Sequence, residues 1–136
     1  MGLDINTGNY SFRAGSYNGF HSFRNWLAQK LGHENLTDYY NTYCQNEGPM
    51  LKSGTYKNAR KIPLGPLLNH SDCDGTISTG YAKKLLTELT EIKEKLKKYN
   101  ELDTDTNNET YFRKSLDHWI SACKESIENK DPIEFH

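Results

Sequence analysis

The sequence predicts an α+β fold: a compact, mainly helical domain with two long C-terminal helices and a small sheet formed by its terminal strands. Three observations carry this. Apolar residues recur at helical spacing from Thr79 to Tyr99 and again from Thr110 to Asn129. Leu3 and Ile5 alternate with polar residues at one end, and Ile133 and Phe135 do so at the other. A chain of 136 residues has the ordinary size of one domain and can bury a core without disulfides or metal, so residues 1–136 are expected to form a single domain.

Each element has its own signal. Gly2 to Thr7 reads as a half-buried strand, with Asp4 and Asn6 opposite Leu3 and Ile5. Tyr10 and Phe12 continue the alternation, which allows a hairpin across Thr7-Gly8-Asn9. A loop of Gly, Ser and Asn then leads into a helix from about Phe20 to Leu31. Its inward face is Phe20, Phe23, Leu27 and Leu31 with Trp26 beside it, and Gly32 stops it. Asn35 to Cys44 predicts a short helix carrying Leu36, Tyr39, Tyr40 and Tyr43, and Gln45 to Lys61 a polar, mobile surface loop. Pro63 to Asn69 predicts one or two helical turns that bury Leu64, Leu67 and Leu68.

The helix over Thr79 to Tyr99 is the strongest. Ala82, Leu85, Leu86, Leu89, Ile92, Leu96 and Tyr99 form its apolar face, and Glu91-Lys95 and Glu94-Lys98 support its solvated face. Asn100 to Glu109 is a polar connection. Phe112, Leu116, Trp119, Ile120, Cys123 and Ile127 point inward from the second long helix, with His118 and Cys123 read as structural, and Asp131-Pro132 ends it.

Composition excludes several roles. Lys and Arg number 17 against 18 Asp and Glu, a net charge of −1, so the chain has neither the basic excess that binds nucleic-acid phosphates nor the acidic excess of a DNA mimic. The start M-G-L-D-I-N has no basic region followed by an apolar run, and no stretch approaches a membrane span. Cys44, Cys73 and Cys123 are an odd count without framework spacing, as expected of reduced thiols in a cytoplasm.

Two segments carry candidate chemistry. In N-H-S-D-C-D-G-T-I-S, Asn69 to Ser78, the pattern matches the middle of an EF-hand loop, with His70, Asp72 and Asp74 as candidate metal ligands. Its ends do not match, because His70 takes the first ligand position and Tyr81 stands where a bidentate glutamate belongs. At most a weak calcium or magnesium site is expected, and otherwise no cofactor. The structural alternative has Asp72 and Asp74 facing the amino end of the long helix, Gly75 turning the chain and Ser78 capping. Two flanking carboxylates also disfavour a thiolate at Cys73.

In G-S-Y-N-G-F-H-S-F-R, Gly15 and Gly19 bracket a turn into a helix whose free N–H groups suit an anion. Arg13, Ser16, Tyr17, Asn18, Gly19, His21 and Arg24 are the candidate ligand-binding residues, with Arg24 supplying charge and Tyr17 a stacking face. Tyr39, Tyr40 and Tyr43 are too many for one face of a short helix. At least one is expected to be exposed, for an interface or for stacking.

The start M-G-L-D-I, the segment G-S-Y-N-G-F-H-S-F-R-N-W-L-A and P-L-L-N-H-S-D-C-D-G together resemble a family of small proteins of phages, prophages and other mobile elements. The likeness covers the N-terminal third, the loop from Pro66 to Gly75 and loosely the last helix and P-I-E-F-H tail. Where that family often continues the turn in a fuller acidic run, this chain has Thr79-Gly80-Tyr81. The resemblance implies an accessory role between phage and host, in the host cytoplasm, and brings no enzyme activity with it. No Ser-His-Asp order, Walker loop or H-E-x-x-H appears, which weighs against an enzyme. The expectation is a non-catalytic protein that counters a host defence by sequestering an anionic nucleotide-type molecule. Alternatives are an inhibitor that binds a host defence protein, a degenerate EF-hand-like calcium module, and a small hydrolase built on His70, Asp72 and Asp74. A homo-oligomer is left open.

Overall fold

A computed structural model of the chain describes residues 2–43, 51–52, 54, 57–70, 75–98 and 107–136. Strands β1 (Gly2–Thr7) and β2 (Tyr10–Ser16) are followed by helices α1 (Tyr17–Lys30) and α2 (Leu36–Tyr43). A 3-10 turn (Ala59–Lys61) and the one-turn α3 (Gly65–Leu68) lead to β3 (Gly75–Ile77), α4 (Thr79–Lys98), α5 (Asn107–Asn129) and β4 (Ile133–Phe135). Cys44, Ser71 to Asp74, Tyr99 and most of the loop expected over Gln45 to Lys61 lie outside the described residues.

The four strands form one antiparallel sheet in the order β2-β1-β4-β3. The hairpin forms across Gly8-Asn9, and the terminal strands pair at the centre with Ile5 opposite Phe135 and Asn6 opposite Glu134. β3 was not foreseen. It adds an edge to β4 with Ile77 opposite Ile133, and three residues are too few for alternation to stand out. A register shift between Leu3 and Asp4 leaves Ala14 as an extra residue in β2, a bulge just before the strand meets α1.

Strand alternation sorts the sheet into two faces. Leu3, Ile5, Thr7, Ile77, Ile133 and Phe135 are buried, whereas Asp4, Ser11, Arg13 and Glu134 are exposed on the other face. Trp119 of α5 is the hub of the buried side. Phe12 meets its ring edge-on at 5.3 Å, Phe20 stacks at 6.0 Å and Phe135 lies at 5.8 Å. α4 buries Ala82, Leu85, Leu89, Ile92 and Leu96 of its predicted apolar face, and Leu86 is partly buried against the core. Lys93 of α4 and Asp117 of α5 bridge the two long helices at 2.7 Å.

The helix ends follow local chemistry. The Ser78 hydroxyl accepts from the Tyr81 N–H at 3.3 Å, the N-cap expected for α4. α5 stops at a left-handed Lys130 (φ 58°), after which the Asp131 N–H reaches back to the Ser126 carbonyl at 3.2 Å. No helix of the described residues is long and apolar enough to cross a membrane.

Cys123 is fully buried on α5, and burial pushes its thiol from the ordinary 9.0 up to about 12. With Cys44 and Cys73 replaced by serine, Cys123 should stay unlabelled by a thiol reagent near neutral pH until the chain is unfolded. Its pKa is raised on folding, so its stabilising share is complete below about 9 and is lost as pH climbs toward 12. Thermal melts through that range should show the decline.

Candidate functional site

β2 runs into α1 with no intervening loop. Ser16 closes the strand and caps the helix, its hydroxyl accepting from the Gly19 N–H at 3.0 Å. Gly15 sits at φ 101°, a conformation that side chains resist. Over this corner lies Tyr111 of α5, whose hydroxyl donates to the Ala14 carbonyl at 3.1 Å. That hydroxyl is 2.6 Å from where a Cβ on Gly15 would stand and 3.2 Å from one on Gly19. The two glycines therefore admit Tyr111. Gly15→Ala should cost about 2 kcal/mol, partly strain and partly this clash. Tyr111→Phe removes the clashing oxygen, so the two substitutions together should cost less than their sum in a denaturation cycle.

Tyr111, His118 and Glu125 are spaced by seven along α5, two helical turns, and fall on one face. Each reaches the hairpin. His118 Nδ1 pairs with the Tyr10 hydroxyl at 2.7 Å, and its ring stacks on Phe12 at 5.1 Å. Glu125 Oε1 accepts from the Asn9 N–H at 3.1 Å. The seam ties α5 to β2 and leaves aromatic surface in water: Tyr17 is 37% and Tyr111 38% exposed, with Tyr10 and Phe12 half-buried beside an exposed His118. Tyr111 was missed because its partner Ala14 is distant in the chain. The repeat of seven was its one trace in the sequence.

The expected ligand-binding residues separate in the structure. Ser16, Tyr17, Asn18 and Gly19 share one turn, and exposed His21 lies one turn on. Arg13 points to the far face of the sheet and pairs with Asp4 at 3.4 Å. Arg24 turns inward and is only 6% exposed. Its Nη2 donates to the His70 carbonyl at 2.7 Å, and its guanidinium lies 4.1 Å over the Phe20 ring. The two arginines and the N–H donors of the expected anion site thus do not converge, because the helix face that holds Phe20 also directs Arg24 into the interior.

His70, expected as a metal ligand, is buried. Its Nε2 meets the Thr76 carbonyl at 2.8 Å, so that nitrogen carries the proton, and its ring stacks on Phe135 at 4.1 Å. Asp72, Cys73 and Asp74 lie outside the described residues. Among the described residues no group of three or more His, Cys, Asp or Glu is placed to hold a metal.

The tyrosines of α2 correct another expectation. Tyr39 is buried, and Tyr40 and Tyr43 are half-buried. The Tyr39 hydroxyl donates to the Pro63 carbonyl at 2.7 Å and that of Tyr40 to the Leu68 carbonyl at 2.8 Å, while Tyr43 meets His33 edge-on at 5.6 Å. The segment around α3 holds Tyr39 and Tyr40, and Tyr43 packs on His33 and Tyr39. Among the described residues the exposed tyrosines are instead Tyr17 and Tyr111.

The family model for immunity protein 70 matches residues 5–111, from β1 through the β2–α1 corner to Tyr111. The chain belongs to the immunity protein 70 family. No curated protein and no solved structure matches it. As an immunity protein family, it agrees in coarse terms with the small accessory family that the sequence motifs resembled.

Proposed function

We propose that the chain neutralises a protein toxin by binding it directly, without chemistry of its own. Membership of the immunity protein 70 family over residues 5–111 carries this reading. The exposed tyrosines at the β2–α1 corner support it, since tyrosine is enriched where proteins meet. Inward-turned Arg24 favours a protein over an anionic nucleotide as the bound partner. Its setting is the cytoplasm of a cell in which a phage or other mobile element uses it against a defence or rival toxin.

The test pairs the chain with a panel of protein toxins, any encoded next to its gene included, and separately with a nucleotide panel. Co-expression should restore growth to cells making one such toxin, the two proteins should co-elute, and no nucleotide should be retained. A nucleotide recovered intact without a toxin complex would replace this reading with sequestration of an anionic small molecule. A nucleotide recovered cleaved would make the chain an enzyme.

A further inference from the structure

We infer that the strip formed by Tyr17 and the start of α1, together with Tyr111, Lys114 and His118 of α5, is the surface that docks the toxin, and that it takes an acidic patch interspersed with apolar side chains. This rests on the toxin-binding reading.

The first support is aromatic exposure. Tyr17 and Tyr111 are the exposed tyrosines among the described residues, and both border the same corner, because the Tyr111 hydroxyl lies over the two glycines that flank Tyr17. Large amphipathic rings left in water are the side chains that most often dominate a protein interface. Tyr111 is already pinned by the Ala14 carbonyl, and His118 by Phe12 and Tyr10. Side chains held in place before docking lose little conformational freedom on binding.

The second support is charge. The chain as a whole carries −1, but this strip does not share that sign. Lys114 follows Tyr111 by one turn and precedes His118 by one, is exposed, and pairs with no acid among the described residues. The amino end of α1 has no acidic residue in its first turn, so its partial positive charge is not offset there. Of the acids whose side chains are described on this part of α5, Asp117 is engaged with Lys93 at 2.7 Å, and Glu125 with the Asn9 N–H at 3.1 Å and the Asn129 amide at 2.7 Å. Opposite charge on the partner would steer encounter and set register.

The experiment uses the full chain and the protein toxin that it neutralises in the co-expression test. Tyr17→Ala should weaken the complex about thirtyfold, the scale of an interface hot spot. Lys114→Glu should slow association about tenfold at low salt, with the difference shrinking near about 0.5 M salt. Lys95→Glu, on the exposed face of α4, should bind as the unaltered chain does. Melting temperatures of the exposed-site variants should stay close to that of the parent. Hydrogen exchange in the complex should slow at residues 14–21 and 110–118. A complex that ignores both substitutions and protects the bare sheet face at Asp4, Ser11 and Glu134 would overturn this surface while toxin binding stands. No complex with the unaltered chain would overturn both. Single-stranded oligonucleotide binding that depends on Lys114, without a toxin complex, would make the strip a nucleic-acid surface and also overturn the proposal.

Discussion

Trp119→Ala is expected to lower the unfolding free energy by about 3–5 kcal/mol and the melting temperature by about 10–20 °C. Domains of this size are stable by only about 5–15 kcal/mol, so the variant should sit near the edge of folding. The size of the effect follows from where the indole lies. It is fully buried and touches rings from three elements: Phe12 on β2, Phe20 on α1 and Phe135 on β4. Those rings stand on separate elements that other contacts hold in place, so they cannot all move into the space left behind. Trp119→Phe keeps one ring and should cost less than half as much. Urea and thermal unfolding measure both, and a loss under about 1 kcal/mol for the alanine variant would mean that the hub repacks.

Arg24→Ala is expected to cost about 3 kcal/mol. A charge-assisted hydrogen bond to a buried carbonyl contributes roughly 1.5–3 kcal/mol, and a guanidinium over a desolvated ring adds up to about 2. Both contacts are present, to His70 and to Phe20. Arg24→Lys should recover only part, because an ammonium has no planar fork to lie over the ring while reaching the carbonyl. The expected signature is loss of stability with toxin affinity of the folded fraction unchanged. Unaltered stability with lost binding would return Arg24 to a ligand surface.

The long helices were legible because their periodicity is long and uninterrupted. In α4 the residues at helical spacing Ala82, Leu85, Leu89, Ile92 and Leu96 are buried, and Leu86 at the margin of that face is partly so. Of the shorter elements, β1, β2 and β4 announced themselves by alternation. β3 did not, since Gly75-Thr76-Ile77 carries the same residues whether it closes a turn or pairs with β4. Of the candidate site, the unusual segment from Gly15 to Arg24 was found but divided differently. Its glycines suggested a ligand approaching the backbone, and what approaches is Tyr111. The sign of Arg24 was visible and its direction was not, because position 24 lies close enough to the apolar face of α1 for either outcome.

By itself the sequence determined the class of the fold, the order of most elements, the face that each long helix buries and the oddity of the β2–α1 corner. These depend on propensity and period, which are properties of neighbours in the chain. Only the tertiary structure decided which faces meet. The Tyr111 hydroxyl bonds Ala14 across 97 residues of chain, and His118 bonds Tyr10 across 108. Such pairs are set by how α5 crosses the sheet, which depends on the packing of Trp119 against three other elements at once. A local pattern can say that Tyr111 has a polar tip and an apolar ring, but whether the ring faces water beside Tyr17 is settled by helix placement, and the candidate interface rests on that placement.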